Sequence, residues 1–305
     1  MKFSIVIPTK NRIFVIMSTI KRLIMMKYSL LDYEIIVVDN NSTDGSFEKL
    51  NCLKKTISNL IVVRESKQGA SFARNAGIRY AKHKHVICID DDIMVPPDFL
   101  IQYARGWKRH RNAVMIGGSI AIDYLGNPTV QQQRILTDHK WIFGKLDHGS
   151  DDKRLILGEL AHAGNVSIYK SNVFFSESFG VRSRLGRLIG AEDLELSSRL
   201  ILENKEVWFC PLVRVIHPVN LSRCNKWYVL WRFFSTGIDL LRMDKVLKVR
   251  FGSKYHSLHQ KYTDTFLDSI KHKNRKFFRV YCSTFEDVAK LTGYYGASLF
   301  YKSQI

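Results

Sequence analysis

The chain has 305 residues, of which 46% are hydrophobic and 25% are charged, proportions typical of a folded globular protein rather than a disordered one. No uncharged apolar run approaches the roughly 18 residues that a membrane-spanning helix needs, so no such helix is expected. The formal net charge is +19, and the part from residue 226 onward carries fifteen Lys and Arg against six Asp and Glu. This charge favours anionic partners, which include nucleic acid, a phosphate-bearing substrate and an anionic membrane surface.

The N-terminus and the cysteines bear on the location of the protein. The opening apolar run at 1–7 is too short for the core of a signal peptide. The five cysteines show no Cys-x-x-Cys spacing and are odd in number, which favours a reducing compartment and the absence of a zinc site. We therefore expect a cytoplasmic protein.

The first hundred residues alternate short β-branched runs with helical patterns. Strands are predicted at 3–7, 34–38, 60–64 and 85–89, and helices at 13–26, 46–55 and 71–82. Continuous apolar strands separated by helices are typical of a parallel sheet that is covered on both faces. Ligands of such sheets bind beyond the carboxyl ends of the strands, and here each predicted strand ends in polar residues. The sequence therefore predicts a polar cleft along one edge of the sheet.

The pattern is mixed after the pair Pro96-Pro97. A helix is predicted at 98–109, a strand at 113–122 and a loop-rich polar stretch at 126–152. A strand near 165–169, a helix near 193–203 and a strand near 207–210 follow.

A further helix is predicted near the C-terminus, with one apolar face and one polar face. The apolar face carries Trp227, Leu230, Trp231, Phe234, Ile238 and Leu241, and the other carries Arg232, Ser235, Asp239 and Arg242. Two tryptophans with basic flanks are typical of a helix that lies on an anionic membrane, near a lipid-linked substrate. The alternatives are a helix that packs on the rest of the chain or one that joins two copies in a homo-oligomer.

Three adjacent carboxylates, Asp90, Asp91 and Asp92, end the strand predicted at 85–89. Their charges repel one another, and desolvation at a buried strand end raises the cost further. Oxygen ligands at positions i and i+2 suit a hard ion such as Mg²⁺ or Mn²⁺, which leaves coordination positions open for substrate phosphates. The alternative is a solvated acidic loop.

Two other segments suggest a nucleotide site. Asp39 directly follows a buried strand, where its carboxylate is able to accept the imide N–H of uracil or the hydroxyls of ribose; the alternative is a cap or turn residue. Gly69, Ala73 and Gly77 are spaced by four, which gives a helix face almost free of side chains. Such a face permits close approach of a ligand or tight packing on the sheet.

Two further positions are candidates for catalysis and metal binding. Glu192 and Asp193 open a helical pattern after the glycine-flanked stretch 186–190. Acidic residues are favoured in a first helical turn by the macrodipole, and the functional alternative is a general base that faces the cleft. His217 follows a strand and is either a metal ligand or a satisfied residue at the edge of the core.

Taken in order, these segments resemble those of the family 2 inverting nucleotide-sugar glycosyltransferases, which have a GT-A fold. The matching segments are SIVIPTKNR at 4–12, IIVVDNNSTDG at 35–45, QGA at 68–70, ARNAG at 73–77, IDDD at 89–92, GNVS at 164–167 and AEDLEL at 191–196. The resemblance implies a mostly parallel Rossmann-like α/β sheet sandwiched by helices, with a C-terminal helical extension. It also implies a catalytic domain at 1–220, with a nucleotide-binding half at 1–100 and an acceptor-binding half at 101–220, followed by a basic helical region at 221–305.

The resemblance implies a role for each matching position. The nucleotide would be bound by Pro8, Thr9, Arg12, Asp39, Asn41, Gly69, Arg74, Asp90 and Asp91, with Asp39 at the uracil. Asp90 and Asp92 would form the Asp-x-Asp pair and, with His217, would hold Mn²⁺ or Mg²⁺. Asp193 would be the catalytic base, with Glu192 beside it on the acceptor side. One departure lies at 160–163, which read Leu-Ala-His-Ala where a second glycine is common in the family.

The implied activity is metal-dependent, inverting transfer of a hexosyl group from a nucleotide-diphosphate sugar, preferably a UDP-sugar. The acceptor would be a hydroxyl of a saccharide or a lipid-linked saccharide in surface polysaccharide or glycolipid synthesis. In-line attack at the anomeric carbon expels a nucleoside diphosphate, so a divalent ion assists the leaving group and a carboxylate accepts the proton.

Other functions fit the sequence less well. A sugar-phosphate nucleotidyltransferase would carry a glycine-rich phosphate loop after the first strand, and residues 8–12 are not one. A nucleic-acid-binding protein would explain the charge, but the basic residues are scattered and no recognised module is present. A dehydrogenase is disfavoured because no Gly-x-Gly-x-x-Gly follows a predicted strand.

Overall fold

The structure is a computed structural model that describes residues 1–171, 173–182 and 188–255. Its strands are β1 (Phe3–Thr9), β2 (Tyr33–Asp39), β3 (Leu60–Arg64), β4 (His85–Ile89), β5 (Ala113–Leu125), β6 (Lys153–Arg154), β7 (Asn165–Tyr169), β8 (Val181–Arg182), β9 (Leu188–Ile189) and β10 (Glu206–Asn220). Its α-helices are α1 (Ile13–Ile24), α2 (Ser46–Leu53), α3 (Ala70–Tyr80), α4 (Phe99–Arg109), α5 (Val130–Asp138), α6 (Glu192–Leu202) and α7 (Lys226–Phe251).

The main sheet has the strand order β3-β2-β1-β4-β7-β5-β10-β6. Strands β1 to β4 are parallel to one another, as predicted. Strand β7 is antiparallel to both β4 and β5, and β10 is parallel to β5, so the sheet as a whole is mixed. Because β7 runs backwards beside β4, Asn165 at its start pairs with Ile89. The loop that precedes β7 is thereby placed next to the acidic end of β4.

Helices cover both faces of this sheet and supply its two large apolar clusters. Helix α3 lies especially close to the strands, because a Cβ atom at Gly77 would come within 2.3 Å of Val6 Cγ1. Ala73 on the same face is fully buried. For these two residues, the small-residue face predicted from the sequence therefore serves tight helix–sheet packing.

The second half of the sheet departs from the sequence prediction at β10. Strand β10 is much longer than the predicted 207–210, because a register shift between Cys210 and Arg214 accommodates Pro211 within it. Proline is tolerated in strands at such irregularities. Asn165 ties this irregularity to β5, since its Nδ2 donates to the carbonyls of Ser119 and Val213 at 3.0 and 2.9 Å.

The stretch predicted to be loop-rich contains helix α5 and a 3₁₀ turn at Lys140–Phe143. Thr129 and Gln132 form a capping box at the start of α5, a recognised signal for helix initiation. Leu136 and Phe143 are buried against Val219. The prediction was wrong here because most of the helix surface is polar and only a few apolar residues face inward.

Helix α7 packs on the rest of the chain partly through its predicted polar face. Ser235 and Asp239 are 3% and 6% exposed, and Asp239 accepts a hydrogen bond from the Gly190 N–H at 3.0 Å. Trp227 on the predicted apolar face is 79% exposed. Membrane contact by this helix stays a prediction. In the described part of the chain, no helix is long and apolar enough to cross a membrane.

Histidine 85 makes the stability of the fold depend on pH. His85 contacts the rings of Phe3, Trp107 and Tyr169, and burial lowers its pKa from 6.5 to about 4. Since the unfolded chain binds this proton near pH 6.5, stability is lost as the pH falls from there towards 4. We expect this residue to lower the free energy of unfolding by about 1–2 kcal/mol between pH 7 and pH 5. Urea unfolding should show a weaker pH dependence in His85→Phe, and equal pH slopes in the two proteins would contradict this account.

Candidate active site

A cavity of about 640 Å³ lies beyond the carboxyl ends of β1 and β4, at the edge where the sequence predicts a cleft. This volume is within the range of small-molecule sites. Its inner surface includes Pro8, Thr9, Arg12, Asn40, Ala70, Arg74, Asp90, Asp91, Asp92, His162 and His217. Its outer surface includes Trp141, Phe143, Arg223, Tyr228, Trp231 and Arg232. The predicted site residues from β1, α3, β4 and β10 therefore meet at one cavity.

Asp91 holds the end of β4 against β1. It is 4% exposed, and its carboxylate accepts hydrogen bonds from Thr9 Oγ1 at 2.7 Å and from Arg12 at 2.5 Å. Burial raises the pKa of Asp91 to about 6, although Arg12 and Thr9 act in the opposite direction. Arg12 also binds Asp92 at 2.8 Å. These contacts give Thr9, Arg12 and Asp91 a role in shaping the floor of the cavity.

Asp92 and His217 approach each other across the cavity. The distance from Asp92 Oδ1 to His217 Nε2 is 3.7 Å, which is longer than a hydrogen bond. His217 Nδ1 lies 2.8 Å from the carbonyl oxygen of Phe143, so Nδ1 is the donor and Nε2 faces Asp92. Burial opposes both charges. Even so, His217 and Arg12 lower the pKa of Asp92, and Asp92 raises the pKa of His217.

This arrangement fits a divalent cation. A ring nitrogen oriented by a backbone carbonyl is a common feature of histidine metal ligands, and a carboxylate oxygen beside it completes a pair of ligand atoms suited to Mn²⁺. The sequence analysis did not identify Phe143, whose contribution is a backbone atom and leaves no sequence signal.

Asp90 makes a different set of contacts. Its carboxylate binds Arg74 at 2.8 Å, and Arg74 also binds Glu192 at 3.0 Å. Arg74 is 4% exposed; burial opposes its charge, but Asp90 and Glu192 raise its pKa. Burial also raises the pKa of Glu192, while Arg74 acts in the opposite direction. This chain of charges joins α3 and β4 to the start of α6.

Within the described residues, one group of three His, Cys, Asp or Glu side chains has its ligand atoms within 4.8 Å of one another: His110, Asp152 and Cys210. These residues do not line the cavity. Both oxygens of Asp152 accept hydrogen bonds from Arg109, at 2.8 and 3.1 Å. The guanidinium group of Arg109 therefore already neutralises this carboxylate. Asp90, Asp92 and His217 do not form such a group.

The end of β2 carries a buried carboxylate with one oxygen that is unpaired in the described part of the chain. Asp39 is fully buried, and its Oδ2 accepts the Ser42 N–H at 3.1 Å. Its Oδ1 is also buried and has no hydrogen-bond partner among the described residues. The neighbouring Asn40 lines the cavity and accepts the Gly69 N–H at 2.7 Å. Five of the predicted site residues do not line the cavity: Asp39, Asn41, Gly69, Glu192 and Asp193.

Asp193 begins α6 beside a histidine that the sequence analysis noted only as a departure. Its Oδ2 accepts the Ala163 N–H at 3.3 Å and lies 3.8 Å from His162 Nε2. His162 Nδ1 accepts the Gly164 N–H at 2.9 Å, which places the proton of the neutral ring on Nε2, towards Asp193. His162 lines the cavity and links Asp193 to it.

Residues 4–171 match the family model described as Glycosyl transferase family 2. This chain belongs to glycosyltransferase family 2. It is 32% identical over 130 residues to the poly(ribitol-phosphate) beta-glucosyltransferase of Bacillus spizizenii. That match covers 42% of this chain but only 20% of the relative, so the matched segment of this glycosyltransferase corresponds to about a fifth of that protein.

Solved structures with the same fold include two glycosyltransferases with bound donors. The mannosyltransferase PcManGT from Pyrobaculum calidifontis, in complex with GDP-Man and Mn²⁺, has a TM-score of 0.58 at 15% identity, over 99% of this chain and 75% of that one. A fragment of S. aureus TarS in complex with UDP-GlcNAc has a TM-score of 0.51 at 15% identity, over 96% and 79%. The predicted GT-A fold of this family 2 glycosyltransferase is therefore confirmed.

Proposed function

We propose that this glycosyltransferase moves a sugar from a UDP-sugar to a hydroxyl of a surface polymer or lipid-linked saccharide, with inversion at the anomeric carbon and with the help of a divalent metal ion. The observation that carries the proposal is the single cavity that brings the Asp92–His217 pair together with His162, the neighbour of Asp193. An electrophilic aid and a general base are the two elements that this displacement requires.

Different residues at the cavity have different roles in this displacement. Asp92 and His217 would hold the metal ion, which supplies positive charge to the diphosphate leaving group when bound. Arg12 and Arg74 keep the surrounding carboxylates paired, at 2.5–3.0 Å. Asp193 accepts the proton of the attacking hydroxyl, and the Ala163 N–H, at 3.3 Å, orients its carboxylate. A single displacement of this kind inverts the anomeric configuration.

A uridine donor is supported by the end of β2. Burying an unpaired carboxylate oxygen costs free energy that a ligand donor would recover. Asp39 Oδ1 is such an atom, and the imide N–H of uracil is a suitable donor. The TarS fragment binds UDP-GlcNAc, and the Bacillus spizizenii relative is named for a poly(ribitol-phosphate) substrate. The first favours a UDP-sugar donor for this chain, and the second favours a polymer as its acceptor.

Calorimetric titration with UDP tests the donor and metal assignments together. We expect Mn²⁺ to tighten UDP binding by about 10-fold or more in the unmodified protein, and we expect Asp92→Asn to remove this gain, because metal affinity depends on the ligand set and its orientation. Asp123→Asn is a matched control, because Asp123 is an exposed carboxylate outside the cavity, and it should bind like the unmodified protein. Absence of UDP binding with and without Mn²⁺ would overturn the UDP-sugar donor.

A further inference from the structure

The outer surface of the cavity is formed by Trp141 and Phe143, which lie between the short motifs quoted above, and by residues that follow the family match at 4–171. We call it the outer wall and define it by Trp141, Arg223, Tyr228, Trp231 and Arg232. A buried apolar cluster that includes Phe143 and Val229 fixes these segments to one another. The rings of Phe143 and Tyr228 stack with their centroids 6.0 Å apart and 18° between their planes. The segments that carry the outer wall are therefore packed against one another through this buried cluster.

The cations of the outer wall differ from those of the cavity floor. On the floor, Arg12 and Arg74 each bind two carboxylates. On the outer wall, neither Arg223 nor Arg232 forms an ion pair with any carboxylate that the structure describes. Moreover, the buried Nε of Arg232 has no hydrogen-bond acceptor in that part of the chain. A buried donor without a partner is costly, so these residues favour an anionic ligand.

Aromatic rings line the same cavity as these two arginines. Trp231 is 46% exposed and Trp141 is 47% exposed, and the rings of Tyr228 and Trp231 are 6.0 Å apart. Exposed rings present flat apolar faces on which the carbon backbone of a sugar or polyol packs. Unpaired guanidinium groups next to such rings suit a ligand that alternates polyol carbons with phosphates, because arginine binds phosphate oxygens through parallel N–H donors.

We infer that the outer wall is a phosphate subsite for the acceptor, in which Arg223 and Arg232 bind a phosphodiester group and Trp231 packs against the adjoining polyol or sugar. The inference rests on the proposed function and assigns a chemical class to its acceptor. The alternative source of phosphate is the diphosphate of the donor. The acceptor is favoured because Arg223 is exposed and Trp231 is half exposed, so these side chains are open to the solvent from which a long acceptor chain enters.

Direct binding of a fluorescent ribitol-phosphate oligomer, measured by anisotropy, tests this subsite without any need for turnover. We expect the Arg223→Gln, Arg232→Gln double variant to bind the oligomer at least about 10-fold more weakly and with a smaller dependence on salt, because screening acts on the lost charges. Its affinity for UDP with Mn²⁺ should remain within about 2-fold, which also shows that the cavity is intact. Arg134→Gln is the matched control, because Arg134 is exposed on α5 and does not line the cavity; it should bind the oligomer normally.

Three results would overturn the inference. The first is equal oligomer affinity in the double variant and the unmodified protein. The second is a loss of UDP affinity with unchanged oligomer affinity, which would assign the arginines to the donor diphosphate. The third is oligomer binding no tighter than that of an uncharged oligosaccharide of the same length. If UDP itself does not bind the unmodified protein, the proposed donor fails instead, and the two failures are thereby distinguished.

Discussion

Replacing Asp193 with Asn lowers kcat for sugar transfer by about 100- to 10,000-fold, the range expected when a general base is lost, while UDP affinity stays unchanged. Asn has the same size, and its side-chain oxygen is still able to accept the Ala163 N–H that Asp193 accepts at 3.3 Å. It has no basic oxygen for the proton of the attacking hydroxyl. The measurement is kcat with saturating donor and acceptor, together with calorimetric UDP binding.

The control for this variant lies on the same helix. Glu203 caps the end of α6 and pairs with Arg250 at 2.8 Å on the surface, so Glu203→Gln removes a carboxylate without touching the cavity. It should keep kcat within about 2-fold, since surface pairs contribute little. If Asp193→Asn kept kcat within a few-fold of the unmodified enzyme, another group would have to be the base.

Replacing Arg74 with Met is expected to lower the free energy of unfolding by about 3 kcal/mol, the low end of the cost of leaving a buried partner of an ion pair uncompensated, because Asp90 is 34% exposed and solvent screens part of its charge. Arg74 is 4% exposed and binds both Asp90 and Glu192. Met fills a similar volume, so the loss in free energy of unfolding comes from the two carboxylates left without a cation and not from a cavity. Sugar transfer should be lost as well, because Asp90 and Glu192 then repel each other beside the proposed metal and base. Urea unfolding and a transfer assay measure the two effects.

Arg79→Met, on the same helix, is the control. It shows how much the free energy of unfolding falls when an exposed arginine, rather than a buried one, is removed. Arg79 forms a 3.4 Å pair with Glu177 in which both side chains are largely exposed, so this variant should lose less than about 1 kcal/mol. Equal losses in the two variants would contradict the account of Arg74 as a buried bridge between the two halves of the cavity.

Local sequence patterns predicted the elements that place the site. The strands at 3–9, 33–39 and 85–89 are continuous apolar runs, and such runs are buried on both faces of a sheet wherever they occur. Their polar ends were therefore predictable as neighbours, and Asp90, Asp91 and Asp92 do lie at one cavity. The direction of β7 and the length of β10 were not predictable, because strand pairing and a register shift depend on contacts distant in sequence.

Tertiary contacts also decided which partner each of the three aspartates binds. Nothing local distinguishes them, yet Asp90 faces Arg74, Asp91 is buried against Thr9 and Arg12, and Asp92 faces His217. The partners lie on different elements, at sequence separations from 16 for Asp90 and Arg74 to 125, the difference between 217 and 92, for Asp92 and His217. Burial and these partners together shift the pKa values of Asp91 and Asp92, an effect that no pattern of neighbouring residues encodes.

By itself, the sequence determined the fold class, the family and the edge of the sheet at which the site lies, because hydrophobic periodicity and ordered motifs are local properties of the chain. Only the tertiary structure decided that the Phe143 carbonyl orients His217, that His162 stands beside Asp193, and that Arg223 and Arg232 close the cavity. These contacts join α5–α7 and β10 to the first half of the sheet. No local sequence pattern marks these side chains. Their roles depend on burial and on the charged groups that folding brings within a few ångströms of them.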